Sequence, residues 1–443
     1  MSAAAIRMSV LQTRQPQQKR ATAYTLVKDM KWILLVLNVL AVVPIFQVVH
    51  AYKIALPKKH SFASLYPTLL RLFCFIGALM YFYMVFSPFA KISIFIYSEL
   101  DNATIALELL LGPLSGVIIL WKSERKSKNF ITIINLLLGV DKELQRHSHA
   151  PRALENKCAH LERYMWMPLV HVVAVCILQW LHVRKCTSYL YCLSMYFFYM
   201  LLHAIIISYV VWVATLLHLL AVRFRYLNEF IQIYTTRQGA RLNAVNMRST
   251  ASETFTADML LFYREHNNLL TIHRKLNDFV HITLLVFIAY FSYTSALSMY
   301  QVYLTLTKLD VNNIRGILWC LIYLCVYVPI VALLMRHSDV ATKEANAMSH
   351  AVARIYGRDK AQQHLVEYSQ FILLNQITYF FFISLQIDKF LTFSVKQDAE
   401  FTAFGFFPIN MPTLFNISSA IIAYVVILIQ FKQLEETRAG ASA

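Results

Sequence analysis

The sequence predicts an all-α membrane protein: seven transmembrane helices, with long helices that project into a cytoplasmic bundle. Hydrophobic residues make up 58% of the chain and charged residues only 15%, with a mean hydropathy of +0.51. A soluble globular domain does not have this composition. The apolar residues form continuous runs instead of alternating with polar residues, so they predict spanning helices and argue against a β-barrel.

Seven of these runs are long enough to cross a bilayer, because a spanning helix needs about 20 mostly apolar residues. The predicted spans are 65–87, 98–121, 165–183, 189–220, 281–306, 316–335 and 411–431. Two further runs, 32–49 and 371–387, carry basic residues on both sides. We therefore expect these two runs to lie on the cytoplasmic face, or to dip into it, without crossing.

The distribution of basic residues predicts the orientation of the chain. Of the 41 Lys and Arg residues, 33 fall before residue 65 or in the segments 122–164, 223–275 and 336–400, whereas seven fall on the other side. Because Lys and Arg concentrate on the cytoplasmic side, the N-terminus is predicted to be cytoplasmic and the C-terminus extracellular. The same rule explains the net charge of +17, so the expected partner is the lipid bilayer and not nucleic acid.

The predicted spans divide the chain into four regions. Residues 1–64 form a cytoplasmic N-terminal region with a membrane-associated helix, and 65–335 contain spans one to six with long cytoplasmic helical connections. Residues 336–400 form cytoplasmic anchor-type helices, and 401–443 contain span seven and a short extracellular tail. Helical apolar patterns in 129–145, 212–233 and 260–279 predict helices below the membrane, whereas 237–255 reads as a disordered linker.

Catalytic and metal-binding motifs are missing from the sequence. It contains no Gly-rich phosphate loop, no GxSxG and no HExxH, so we expect neither an enzyme nor a bound cofactor. The seven Cys residues include no CxxC pair and no zinc spacing, so no metal site is expected. Cys186, in a predicted outer loop, is a candidate for a disulfide with Cys192 or Cys320.

Aromatic residues concentrate in the outer halves of spans three to six. They form either an interfacial belt or a ligand pocket, since an apolar ring with a polar tip suits both environments. Glu108 lies deep in predicted span two, and its carboxylate is either a functional group or a polar group of the core with its hydrogen bonds satisfied. The candidate ligand-binding residues are Glu108, Trp180, His182, Tyr300, Trp319 and Tyr323.

Span seven is uncharged from Met411 to Phe431 and nevertheless contains several polar side chains. One face carries Ala420, Ala423, Ile427, Gln430 and Phe431 at helical spacing. This face either packs against another helix or lines an ion path. In an ion path, a ring of apolar residues closes by dewetting, and a ring of amides replaces part of the hydration shell of a cation.

The end of span seven resembles a family signature. Residues 423–431 read AYVVILIQF, which is similar to the Thr-Tyr, five-hydrophobic, Gln-Phe ending of insect gustatory receptors, except for Ala423 in place of Thr. The preceding GFFPIN, residues 405–410, resembles the lead-in to the last helix of that family. The resemblance implies a ligand-gated, non-selective cation channel with four subunits around a pore lined by the last helix.

The same resemblance implies roles for individual residues and partners. Ala423, Tyr424, Ile427, Gln430 and Phe431 would form the pore or gate. A small-molecule tastant would bind in the outer half of spans two to six, in the plasma membrane of a sensory neuron. The subunits would form a homotetramer or a heteromer with related receptors.

Position 425 bears on the type of tastant. Val425 stands where the sugar-receptor branch tends to carry an acid, which favours a non-sugar or bitter tastant. A sugar-gated channel remains an alternative. So does a secondary transporter, which would show broken helices in paired halves of the sequence.

Overall fold

The computed structural model describes residues 31–42, 47–50, 53–55, 62–86, 99–147, 159–183, 189–242, 250–308, 314–366 and 399–441. Its helices are α1 (Lys31–Val39), α2 (Phe62–Phe86), α3 (Glu99–Arg125), α4 (Ser127–His147), α5 (Ala159–Glu162), α6 (Met167–Val183), α7 (Tyr189–Leu242), α8 (Thr250–Lys308), α9 (Ile314–Val366) and α10 (Met411–Ala441). A 3-10 turn, Arg163–Trp166, joins α5 to α6. Two antiparallel hairpins pair β1 (Gln47–His50) with β2 (Lys53–Ala55) and β3 (Thr402–Ala403) with β4 (Phe407–Pro408).

A helix lies at each of the seven predicted spans, namely α2, α3 and α6 to α10. Four of these helices contain stretches that are long and apolar enough to cross a membrane: Phe197–Glu229, Arg264–Leu304, Cys320–Ala347 and Met411–Leu434. The other three correspond to the shorter apolar stretches Leu65–Met80, Leu110–Ser123 and Arg163–Ile177, the last of which begins in the 3-10 turn before α6. The helical membrane-type fold is confirmed, while the seven crossings and their orientation remain predictions.

Three helices are much longer than a bilayer is thick. α7, α8 and α9 contain 54, 59 and 53 residues. At a rise of 1.5 Å per residue, α8 is about 90 Å long, against a hydrocarbon core of about 30 Å. The predicted linker 237–255 is therefore wrong at both of its ends, because α7 continues to residue 242 and α8 begins at residue 250. Each residue added to an existing helix gains a backbone hydrogen bond, which outweighs the weak helix preference of Asn, Ser and Thr.

The core is built around α7. This helix is apolar on all sides in its middle part, and a helix of that kind is stable only when other helices surround it. Accordingly, 89% of its most apolar stretch is buried. Trp212 on α7 packs against Phe130 of α4 at 5.4 Å and against Phe279 of α8 at 6.1 Å, measured between ring centroids.

A buried ion pair fixes α4 to α7. Arg223, which is 0% exposed, donates from Nε to Asp141 Oδ1 at 2.7 Å and from Nη2 to Asp141 Oδ2 at 2.6 Å. Its Nη1 donates to the carbonyl oxygen of Leu219 at 2.8 Å. Two parallel bonds between a guanidinium and a carboxylate set both distance and angle, so this pair fixes how the two helices meet.

The N-terminal run 32–49 does not form one helix. α1 covers nine residues, which is about 14 Å and less than half of the hydrocarbon core. Its Ile33 and Leu37 are buried in the main core, and Ile54 of β2 hydrogen-bonds through its backbone with the Asn135 side chain. The β-hairpins are absent from the all-α prediction. The other ambiguous run, 371–387, lies outside the described residues.

The second hairpin positions α10. Its turn contains Phe404 at φ 54° and Gly405 at φ 76°, a left-handed conformation that glycine adopts without strain. The Asn277 side chain on α8 accepts a hydrogen bond from the Thr402 backbone N–H at 3.1 Å. Asn410 then caps α10, because its Oδ1 accepts a hydrogen bond from the Thr413 backbone N–H at 3.0 Å.

The structure also excludes one of the two disulfides considered for Cys186, the one with Cys320. Cys320 is not in a disulfide, and its Sγ lies 3.4 Å from Gln301 Oε1, to which it donates a hydrogen bond. A disulfide between Cys186 and Cys320 is therefore wrong for this structure. Cys186 and the side chain of Cys192 lie outside the described part of the chain.

Candidate functional site: a buried aromatic cluster and an exposed last helix

Helices at five predicted spans meet at the ring of His203. The members of this His203 cluster are His171 on α6, Tyr199 and His203 on α7, Tyr290 on α8, and Tyr323 and Tyr327 on α9. α3 contributes Gly112, where an added Cβ would lie 3.1 Å from His203 Nε2. The absence of a side chain at Gly112 allows α3 to approach the ring closely.

The two nitrogens of His203 are both hydrogen-bonded. Nδ1 lies 2.6 Å from the hydroxyl of Tyr327, and Nε2 lies 3.2 Å from the hydroxyl of Tyr290. A neutral imidazole has one N–H donor and one acceptor nitrogen, so one phenol donates to the ring and the other accepts from it. His203 thereby links α7 to α8 and α9, and its own hydrogen-bonding capacity is filled.

His171 is different. Its ring stacks on that of His203, with centroids 5.6 Å apart and an interplanar angle of 20°, and only 2% of the residue is exposed. Neither ring nitrogen has a hydrogen-bond partner among the described residues. A buried polar group without a partner is costly. His171 is thus the member of the cluster best suited to hydrogen-bond a ligand.

Two of the predicted ligand-binding residues have described side chains, and they lie in different places. Tyr323 belongs to the His203 cluster, stacked on Tyr327 with centroids 4.3 Å apart. Tyr300 is buried against Leu297 and Leu428, between α8 and α10. Glu108, Trp180, His182 and Trp319 lie within α3, α6 and α9, but their side chains lie outside the described part of the structure.

The sequence reasoning missed the other members of the cluster: His171, Tyr199, His203, Tyr290 and Tyr327. The prediction concerned aromatic residues at the outer ends of the helices, whereas all of these residues except Tyr199 lie near the middle of predicted spans or toward their inner ends. One available signal was His203 within the apolar run of span four, since a polar side chain inside a span is a functional candidate. The pairs Tyr199–His203 and Tyr323–Tyr327, each at i,i+4, were a second signal.

The last helix presents the predicted pore residues on its exposed side. Ala423, Tyr424 and Gln430 are exposed, and Ile427 and Phe431 are 46% and 59% exposed. Ile421 and Leu428, seven residues apart along one face of the helix, are buried in the protein. Only 11% of the most apolar stretch of α10 is buried. An apolar helix that is this exposed requires lipid or further subunits to cover it.

A short path joins the two regions. α8 carries Tyr290 of the cluster and, ten residues later, Tyr300, which is buried against Leu428 of α10. Ten helical residues span about 15 Å. α8 is therefore in contact with both the cluster and the last helix.

These features define a helical membrane-type protein with a buried cluster of Tyr and His side chains and an exposed apolar last helix. The family profile of the 7tm chemosensory receptors matches residues 30–380 and 383–435. The chain therefore belongs to the insect gustatory receptor family, within the 7tm chemosensory receptors.

Individual relatives agree with this assignment. The chain is 30% identical over 450 residues to the gustatory and pheromone receptor 32a of Drosophila melanogaster, covering 96% of this chain and 89% of that one. It is 30% identical over 252 residues to the gustatory receptor 68a of the same species, covering 56% of each chain.

The fold is similar to that of a solved receptor structure. The olfactory receptor OR5 of Machilis hrabei matches with a TM-score of 0.63, over 92% of this chain and 99% of that one, at 11% identity. The complex of the same receptor with eugenol matches with a TM-score of 0.62. At this identity the likeness shows the fold alone.

Proposed function

We propose that this chain is a subunit of a ligand-gated, non-selective cation channel that is opened by a small-molecule tastant. The observation that carries the proposal is the meeting of α3, α6, α7, α8 and α9 at the His203 cluster, from which α8 runs directly to the exposed α10. The tastant binds in the outer half of these helices, with the His203 cluster as the floor of its site. Binding shifts α8, and α8 shifts α10.

The chemistry of the cluster favours a non-sugar tastant. Its described side chains are imidazoles and phenols, which suit stacking and a small number of hydrogen bonds. A sugar presents many hydroxyl groups, each of which needs a polar partner once it is buried. Val425 also takes the position at which the sugar branch tends to carry an acid. The complex of OR5 with eugenol is an instance of this fold with a small organic ligand.

The exposure of α10 supports an oligomer around a central pore. Four copies related by cyclic symmetry would place Ile427 and Phe431 in an apolar constriction beside Gln430, and permeating cations would pass this ring. A homotetramer is the simplest assembly, and a heteromer with related receptors is the alternative. The assembly would lie in the plasma membrane of a sensory neuron.

Electrical recording distinguishes this function from the alternatives. The chain is expressed alone in cells, and currents are recorded while a panel of sugars and bitter alkaloids is applied. Current evoked by an alkaloid and carried by several cations supports the proposal. Current evoked by sugars alone would identify a sugar-gated receptor, and saturable uptake without current would identify a transporter.

The proposed orientation makes a separate prediction. With 33 basic residues on one side of the predicted spans and seven on the other, the N-terminus is expected to be inside the cell and the C-terminus outside. Antibody staining of intact cells should detect a C-terminal epitope tag and should detect an N-terminal tag only after permeabilisation. Staining of an N-terminal tag on intact cells would reverse the orientation.

Substitutions in the His203 cluster test the ligand site. The variant His171→Leu removes both ring nitrogens and is expected to raise the half-maximal concentration of an active tastant about tenfold, the effect of one lost hydrogen bond. Tyr323 is the cluster member predicted from the sequence, and Tyr323→Ala should also raise the half-maximal concentration. Val173→Ala, at an exposed position on the same helix as His171, is the control. Unchanged dose–response curves for both cluster variants, at normal surface expression, would place the ligand elsewhere.

A further inference from the structure

A basic segment begins where the apolar stretch of α3 ends. The Leu110–Ser123 stretch contains Lys122 at its edge and is followed within two turns by Arg125, Lys126 and Lys128, with Glu124 as the one acid of residues 122–128. Trp121 is exposed beside them, and the Arg125 guanidinium lies 5.4 Å from the centroid of its ring. Exposed Trp residues at the end of a span lie at headgroup depth. These basic residues are therefore at the depth of the lipid phosphates.

Lys122 is the unusual member of this segment. It is 6% exposed, and no acceptor lies within hydrogen-bond distance of its Nζ in the described ranges. A buried ammonium group is strongly unfavourable unless an opposite charge compensates for it. The described protein does not supply that charge through a direct contact.

Charged and titratable groups of α8 also lie close to Lys122. Lys122 and Lys126 both lie close enough to His281 on α8 to interact with its ring electrostatically. Asp278 is the nearby acid, but it forms no ion pair with either lysine in the part of the chain that the structure describes. Instead, Lys126 Nζ donates to the backbone carbonyl oxygen of Asp278 at 2.8 Å. The positive potential at this point is thus only partly offset.

We propose that Lys122, Lys126 and Arg125 form a binding site for a phosphate group, presented by an anionic phospholipid. The phosphate lies at the surface beside Lys126 and Arg125. The buried Lys122 ammonium attracts it through a medium of low dielectric constant, where a charge acts strongly without contact. In the proposed orientation this end of α3 faces the cytoplasmic leaflet, where anionic lipids concentrate and basic segments beside a span recognise them.

The site also joins two functional helices. α3 supplies Gly112 to the His203 cluster, and α8 supplies Tyr290. The lipid phosphate would lie beside Lys126, whose Nζ donates a hydrogen bond to the backbone carbonyl oxygen of Asp278 on α8. It would therefore hold these two helices together below the ligand site.

The test compares thermal unfolding of the purified receptor in two kinds of nanodisc, one of phosphatidylcholine and one that also contains phosphatidylserine. Phosphatidylserine is expected to raise the unfolding temperature of the parent protein. The variant Lys122→Met keeps the length of the side chain and removes its charge. It should unfold at a higher temperature than the parent in phosphatidylcholine and should lose the rise with phosphatidylserine.

Two further variants separate this site from general attraction between charges. Lys126→Gln should reduce the rise in unfolding temperature with phosphatidylserine, since each basic residue near an anionic surface contributes about fivefold to binding. Lys343→Gln removes an exposed lysine on α9 and should bind like the parent. An unchanged response to phosphatidylserine in both Lys122→Met and Lys126→Gln would overturn the proposal. If inorganic phosphate raises the unfolding temperature in phosphatidylcholine nanodiscs, the site binds free phosphate, and the proposal that a lipid supplies the phosphate is wrong.

Discussion

Replacing Ile427 with Ser is expected to produce a large cation current in the absence of any ligand. Ile427 and Phe431 lie at i,i+4 on the exposed side of α10, so a ring of subunits would present them together in a narrow apolar constriction. Water is unfavourable in such a constriction, so in the proposed channel this ring would close the pore in the absence of ligand. A hydroxyl at position 427 allows the constriction to fill with water. The leak current in whole-cell recordings should rise several-fold.

Two other positions on α10 separate gating from other effects. Ile422 is also exposed but lies about 140° around the helix from Ile427, so Ile422→Ser should leave the leak unchanged. In the proposed pore, the Gln430 amide would contact permeating ions, so Gln430→Ala should shift the reversal potential or the conductance without opening the channel. If the Ile427 and Gln430 variants both record like the parent, α10 is a packing helix and the ions pass elsewhere.

The second large effect is expected from Asp141→Ala. This change leaves Arg223 charged, completely buried and without its carboxylate. Breaking a buried pair in this way costs about 3–5 kcal/mol. Since a folded domain is stable by only about 5–15 kcal/mol, most of the receptor should fail to reach the cell surface. Surface biotinylation and the unfolding temperature of the purified protein measure the loss.

A double variant distinguishes a lost charge partner from a lost shape. Asp141→Leu combined with Arg223→Met replaces the pair with apolar side chains, and such replacements are often neutral or stabilising. The double variant should therefore recover most of the surface expression that Asp141→Ala loses. If it is as poorly expressed as the single variant, the hydrogen bonds of Arg223 determine the helix geometry. In that case, the stability lost in Asp141→Ala would come from the altered packing of the two helices and not from an uncompensated charge.

The His203 cluster shows how far sequence reasoning reached at the candidate site. Expectation placed the ligand among spans two to six, and helices at these five spans meet in the structure. Of the predicted ligand-binding residues with described side chains, Tyr323 belongs to the cluster and Tyr300 does not. The other predicted residues remain predictions. Whether two rings stack, as those of His171 and His203 do, depends on the rotation of α6 about its axis against α7. No periodicity within one helix reports that rotation.

The sequence by itself determined the helical membrane class, the positions of the seven apolar helices and the family signature in α10. These are local properties: hydropathy, period and the spacing of a short motif are all read along one segment. Only the tertiary structure decided that α7 is the central helix, that Asp141 neutralises Arg223 and that Tyr300 lies against Leu428. The two residues of each pair, Asp141 with Arg223 and Tyr300 with Leu428, are far apart along the chain. Their contact is fixed by how whole helices pack, because a buried charge or ring must find its partner in three dimensions.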